Sequence, residues 1–170
     1  YSSLMNVLYA EAAAAFEELT LSDDDDMLTW QAAAAWPNVF RRARFLSAVD
    51  HVQLDRLRWR VMHALNDMFS EVDVLIGPFM TGPMLVASNF TGHPCLHLRA
   101  GFLQTPTRAP GGFGGGRVQI PTRGKEGPSF RVPQGISLWG RLFDEGTLLS
   151  LGTTLEKALA CHTDRPTFPS

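Results

Sequence analysis

The sequence has few cysteines, little net charge and no long apolar run, and each of these shortages excludes a class of protein. Its 170 residues contain two cysteines, Cys95 and Cys161, and a disulfide framework needs more. A net charge of -2 creates no field that would attract nucleic acid or an anionic membrane. No apolar run approaches the roughly 20 residues that span a bilayer, and no signal peptide is recognisable. We therefore expect a cytoplasmic protein without nucleic-acid or membrane partners.

The first seventy residues have mostly helical patterns. Strong helix formers predict a helix over residues 3–19. The four aspartates at 23–26 predict a solvated turn that caps a second helix over 27–35. Pro37 is expected to break the chain, and a long helix with one apolar stripe is predicted over 39–70. Its arginines lie on several faces, which indicates solvated side chains with some ion pairs rather than phosphate binding.

Three apolar stretches predict β-strands. Residues 72–77, which end in a Gly-Pro turn signal, have the composition of a buried parallel strand. Residues 95–98 and 135–140 predict two more strands, and a final helix capped by Asp144 is predicted over 145–161. This alternation predicts an α/β fold. Residues 104–133 are rich in glycine and proline and predict a long loop or insertion.

Each candidate for a chemical site in the sequence lacks part of its pattern. His93, Cys95 and His97 would point to one side of a strand and could bind zinc, but no fourth ligand is near in sequence. The glycines of 111–116 do not have phosphate-loop spacing. The stretch 135–139 lacks the second glycine of a nucleophile elbow. We therefore assign no catalytic residue, no metal and no cofactor.

Three segments, taken in order, carry a family resemblance. Residues 69–78, Phe-Ser-Glu-Val-Asp-Val-Leu-Ile-Gly-Pro, resemble a helix end followed by a "DvlltP" strand. Residues 87–101, Ala-Ser-Asn-Phe-Thr-Gly-His-Pro-Cys-Leu-His-Leu-Arg-Ala-Gly, look like "N-x-T-G-x-P-a-l-s-l-P-x-G". Residues 133–145 are similar to "P-x-G-l-q-l-x-G-x-x-x-x-E". Together they resemble the C-terminal half of the amidase-signature family, the Ser–cis-Ser–Lys amidases.

The resemblance implies a fold, an activity and a separate role for each half of the family's chain. The fold would be part of a large mixed central sheet covered by helices, with residues 1–170 forming the C-terminal portion of a single amidase domain. The activity would be hydrolysis of a carboxamide C–N bond in a small-molecule substrate. The Ser-Ser pair and the lysine belong to the family's N-terminal half, and no stretch here matches them. The chain alone is therefore expected to be inactive, and one wall of the substrate pocket is its expected contribution.

The residues after the first strand, Pro78 to Val86, predict a loop, and this loop is the part of the chain that we expect to face substrate. Its candidate residues are Pro78, Phe79, Met80 and Thr81. An ordinary connection that packs its own apolar residues is the alternative for this segment. Arg99 stands where the family usually has proline, so that strand end is expected to differ.

Two other functions stay open at this point. The chain could be a non-catalytic binding or scaffold module, or the amidase subunit of a tRNA-dependent amidotransferase. A homo-oligomer is compatible with all three interpretations.

Overall fold

The protein is described by a computed structural model, which covers residues 2–79, 82–105 and 130–165. Its described residues form a mixed α/β structure, which confirms the predicted fold class. They divide into two compact units, one ending at Met62 and the other beginning at His63. That both units belong to one amidase domain stays a prediction.

The described residues contain six α-helices, three β-strands and two 3-10 turns. The helices are α1 Met5–Ala15, α2 Glu17–Leu21, α3 Trp36–Ala43, α4 Ala48–Glu71, α5 Gly82–Thr91 and α6 Glu145–Leu159. The strands are β1 Val74–Pro78, β2 Cys95–Thr105 and β3 Phe130–Gly140, and the 3-10 turns are Ser2–Leu4 and Asp24–Met27.

The acidic run begins a tightly bonded turn, and the helix predicted over 27–35 is wrong. Asp25 is fully buried, and its carboxylate accepts a hydrogen bond from Arg41 at 2.7 Å. Gln31 donates its side-chain amide to the carbonyls of Asp25 and Leu28, at 2.8 and 2.9 Å. The Asp25 carbonyl also accepts the backbone N–H of Leu28 at 3.3 Å, a three-residue step that belongs to a 3-10 turn and does not continue as an α-helix. Asp23, Asp24 and Asp26 are exposed, as a solvated turn requires, whereas Asp25 differs from the prediction because it is buried in an ion pair with Arg41.

The long helix predicted over 39–70 is divided into α3 and α4. Pro37 lies in the first turn of α3, where its missing N–H costs nothing, so it starts this helix instead of breaking the chain. The hydroxyl of Ser47 accepts the backbone N–H of Asp50 at 3.0 Å and donates to its carboxylate at 2.7 Å. The hydroxyl of Ser47 thus acts as an N-cap from which α4 begins as a separate helix. No helix among the described residues is both long enough and apolar enough to cross a membrane.

The three strands form an antiparallel sheet in the order β1-β3-β2. The central strand β3 aligns its Leu138 with Ile76 on one side and with Leu96 on the other. The predicted parallel strand is therefore antiparallel, and it is not fully buried, since Ile76 is 60% exposed. Strands β2 and β3 extend into both ends of the predicted 104–133 loop. Residues 106–129 lie outside the described part of the chain.

A helix fills most of the segment that sequence reasoning assigned to a loop. Helix α5 begins at Gly82, whose φ of 39° suits glycine, and Pro83 follows in its first turn. Residues Ala87, Ser88 and Thr91 are buried on one side of it. Gly82-Pro83 therefore marks a helix start, although the same pair also marks turns.

Helix α6 packs on strands β2 and β3. Asp144 caps it as predicted, because its carboxylate accepts the Thr147 hydroxyl at 2.8 Å and the Thr147 backbone N–H at 3.4 Å. Gly140 on β3 and Gly152 on α6 allow the helix to pack close to the sheet. A Cβ at Gly140 would lie 2.9 Å from Leu148 Cγ, and one at Gly152 would collide with the side chain of Leu96.

We expect two glycine-to-alanine substitutions in α6 to have opposite effects. Gly152→Ala should lower the free energy of unfolding by about 1–3 kcal/mol, because the new methyl group overpacks the contact with Leu96. Gly146→Ala has open space around its Cβ position and should raise it by up to about 1 kcal/mol through helix propensity. Urea unfolding of both variants measures this difference. Equal effects would contradict the packing of α6 described above.

Candidate functional site

The candidate wall residues lie at the end of β1, at one edge of the sheet. Pro78 is the last residue of β1 and aligns with Ile136 of β3. Phe79 follows in a turn, and its backbone N–H donates to the carbonyl of Gly135 at 3.2 Å. The turn is therefore tied to the central strand. The two remaining candidates, Met80 and Thr81, lie outside the described residues.

An imidazole and a serine meet beside Phe79. The ring of His97 contacts the Phe79 ring edge-on, with the ring centres 5.1 Å apart. The Nδ1 atom of His97 lies 2.8 Å from the hydroxyl oxygen of Ser137, which is fully buried. His97 is opposite Ser137 in the register of β2 and β3, so both side chains lie on one face of the sheet. The result is a surface on which a buried hydroxyl holds an exposed imidazole next to an exposed aromatic ring.

Gly135 lets Phe79 come this close to the sheet. A Cβ at position 135 would lie 3.1 Å from the carbonyl oxygen of Leu98 and 3.3 Å from Cβ of Phe79. A side chain at this position would therefore require Leu98 or Phe79 to move by a few tenths of an ångström. The sequence indicates Phe79 but not its contacts with His97 and Gly135, because residues so far apart in the chain leave no local pattern.

The Ser137–His97 pair has a hydrogen bond of the kind that activates nucleophiles, but its setting is different. Ser137 lies within a strand and is fully buried, so a substrate carbonyl has no access to its oxygen. The Cys95 sulfur lies 3.7 Å from Nε2 of His97. Burial raises the pKa of the Cys95 thiol, which keeps it protonated and therefore weakly nucleophilic. The arrangement can position and bind, and it supplies no activated nucleophile.

The three residues weighed as zinc ligands do not converge. His93 precedes β2, and its Nδ1 atom lies 2.7 Å from the Thr91 hydroxyl. Its ring stacks on Phe69, with 5.3 Å between the ring centres. His97 is bonded to Ser137 on β3 instead. Within residues 2–79, 82–105 and 130–165, no three His, Cys, Asp or Glu side chains are grouped as metal ligands. Both cysteines are free thiols and half-buried.

Comparison with known proteins gives one informative similarity. No family model matches the chain. One subunit of the glutamyl-tRNA(Gln) amidotransferase of Bacillus velezensis is 25% identical over 111 residues, which are 65% of this chain and 21% of that subunit. The chain thus matches about a fifth of its relative's length. The Bacillus protein belongs to the amidase-signature family, so the similarity supports a relationship to that family and goes no further.

Burial of His93 should make stability depend on pH. Desolvation lowers the pKa of folded His93 below its ordinary 6.5, so the unfolded chain takes up this proton first as the pH falls. Stability should be fully present above about pH 6.5 and should decline below it, towards the lowered folded pKa. His93→Gln should remove this component, whereas His51→Gln on an exposed face of α4 should not. Urea unfolding between pH 5 and 8 tests this, and equal slopes in all three proteins would refute it.

The hydroxyl of Ser137 should fix the orientation and tautomer of His97. We expect Ser137→Ala to cost about 1 kcal/mol of stability, the usual net value of one hydrogen bond. Nitrogen NMR of the His97 ring should show one dominant tautomer in the parent chain and a mixture in the variant. Ser150→Ala on the exposed side of α6 is the matched control. An unchanged His97 spectrum in Ser137→Ala would show that the pair does not hold the ring.

Proposed function

We propose that the chain is the C-terminal part of a cytoplasmic amidase that hydrolyses the carboxamide C–N bond of a small molecule. In this proposal it supplies sheet core and one wall of the substrate pocket. The observation that carries the proposal is the similarity to the Bacillus amidotransferase protein, together with the placement of the three family-like segments. Those segments contain β1, the part of β2 up to Gly101 and the part of β3 from Pro133 onwards. Segments far apart in sequence are therefore neighbours in one sheet.

The contacts around Phe79 support the assignment of a pocket wall. Its exposed ring offers apolar surface to the body of a substrate. Beside it, Nε2 of His97, which contacts the Cys95 sulfur at 3.7 Å, can exchange that weak contact for a hydrogen bond to substrate. Both residues are fixed by hydrogen bonds to β3. The backbone N–H of Phe79 bonds to the Gly135 carbonyl, and the His97 ring bonds to the Ser137 hydroxyl. Side chains held in this way lose little freedom on binding, which favours recognition.

The catalytic groups of this proposal lie outside these 170 residues. In the family's mechanism a neutral lysine takes a proton through a bridging serine, a second serine attacks the amide carbon, and backbone N–H groups stabilise the oxyanion. The serine on the candidate wall, Ser137, is buried and hydrogen-bonded to His97, so it fits neither serine role. The wall would orient the substrate while residues elsewhere perform the reaction.

Ammonia release from glutamine and from a panel of simple carboxamides tests the proposal. We expect the 170-residue chain to release none, and the protein encoded by the complete gene to release ammonia. Serine-to-alanine changes in a Ser-Ser stretch upstream should abolish that activity. A complete gene without a lysine and a Ser-Ser stretch before Tyr1, or turnover by the chain alone, would refute the proposal.

A role as the amidase component of a tRNA-dependent amidotransferase is the second candidate. The name of the similar Bacillus velezensis protein favours it. The two candidates differ in their partners. An amidotransferase component should co-purify with other subunits and transfer ammonia to a charged tRNA, whereas a simple amidase should be fully active alone.

A further inference from the structure

The sheet face that carries His97 and Ser137 continues into a cluster of two arginines and a phenylalanine. The cluster comprises Arg99, Phe102 and Arg131. Arg99 aligns with Gly135, and Phe102 with Pro133, on either side of an irregularity in β2. Strand alternation on β3 puts positions 131, 133, 135 and 137 on one face. The cluster therefore shares a face with the candidate wall, and Arg99 lies across from the glycine on which Phe79 rests.

Both guanidinium groups of the cluster approach the same aromatic ring. The Cζ atom of Arg131 lies 3.5 Å from the centre of the Phe102 ring, and that of Arg99 lies 5.3 Å from it. Each distance is within the range of a cation–π contact. Contact with the Phe102 ring therefore places the two positive charges close together on this surface.

The cluster has more positive than negative charge. Arg131 donates to the carboxylate of Asp164 at 2.6 Å. This hydrogen bond is the main reason that the pKa of Asp164 is lowered, so Asp164 stays ionised and is engaged by Arg131. Arg99 belongs to none of the ion pairs formed within the described residues. One carboxylate thus faces two guanidinium groups.

Arg99 also has a donor that nothing satisfies. Its Nε atom is buried and has no hydrogen-bond partner in the part of the chain that the structure describes. A buried donor without an acceptor is uncommon and costly, more so on a charged group. Ordinary surface arginines avoid this cost because water reaches all of their nitrogens. Arg99 therefore forms no direct ion pair among the described residues and is attracted by Asp164 only at longer range, so an anion at its guanidinium would add negative charge that the site lacks.

We propose that Arg99, supported by Phe102 and Arg131, is a binding site for an oxyanion, the carboxylate or phosphate group of a small molecule. A guanidinium presents paired N–H donors in a planar fork that matches both groups. The site lies beside Phe79, so a ligand held there by its anionic end would extend along the candidate wall. Anion binding at this site does not require the proposed hydrolysis to be correct, and it is tested by binding alone.

Direct titration with two probes tests the site. Sodium acetate and inorganic phosphate are titrated separately at constant ionic strength, and binding is followed through the backbone NMR signals of β2 and β3. At least one probe should bind saturably to the parent chain. Arg99→Ala should weaken that binding about tenfold or more, as expected for loss of a charged hydrogen bond. Arg99→Lys should lie between them, because it keeps the charge and loses the fork.

Arg60→Ala on an exposed part of α4 is the control for a lost positive charge and should bind as the parent does. Binding by acetate alone or by phosphate alone would each support the site and show which oxyanion it prefers. Absence of saturable binding in the parent chain, or equal affinity in Arg99→Ala, would overturn the proposal. Melting temperature is not a suitable readout, since phosphate stabilises folded proteins generally by exclusion from their surface.

A second measurement uses the unaltered chain and so does not depend on the folding of a variant. Phenylglyoxal modifies accessible arginines, and peptide mass mapping gives the rate at each one. The probe that binds should slow modification of Arg99 several-fold while leaving Arg60 unaffected. Equal rates at Arg99 with and without the probe would contradict the site.

Discussion

Hydrogen bonding of β3 to a strand on each side is the constraint on which the second unit depends. It aligns Ser137 with Gly77 and with His97, and so decides which side chains share a face. A slip of one residue would turn Ser137 and Trp139 to the opposite face and bring Leu138 out of its place under α6. The apolar and polar residues of β3 are both fully buried at this point, with Leu138 and Ser137 each at 0% exposure. The register is therefore fixed from both faces.

The two faces of the sheet have different roles because different residues approach them. Helix α6 covers the face of Leu96 and Leu138, where glycines let it come close to the strands. The opposite face carries the bonded imidazole, the Phe79 ring and the arginine cluster. Apolar packing on one face can hold the strands while polar groups occupy the other, which is the usual arrangement of an antiparallel sheet.

The functional proposal and the proposed anion site involve the same surface in different ways. Phe79 and His97 offer a wall with an aromatic ring and one hydrogen-bonding group, whereas Arg99 and Arg131 add positive charge further along the strands. A small molecule with an apolar body and an anionic end would complement both regions. Gly135 joins the two, since Phe79 packs against it and Arg99 is its cross-strand partner.

The sequence by itself determined the class of the fold, the three strands, the cap at Asp144 and the position of Phe79, because these depend on local composition and spacing. It did not determine strand direction, the helix α5 or the division between α3 and α4. A short apolar run is the same whether its partner is parallel or antiparallel. Gly-Pro marks turns as well as helix starts, and the cap at Ser47 and Asp50 lies within a stretch whose helical pattern is continuous in the sequence. Only the tertiary structure decided that Asp25 is buried against Arg41 and that His97 meets Ser137. Those partners lie 16 and 40 residues apart, and side chains so distant become neighbours only when packing brings their elements together.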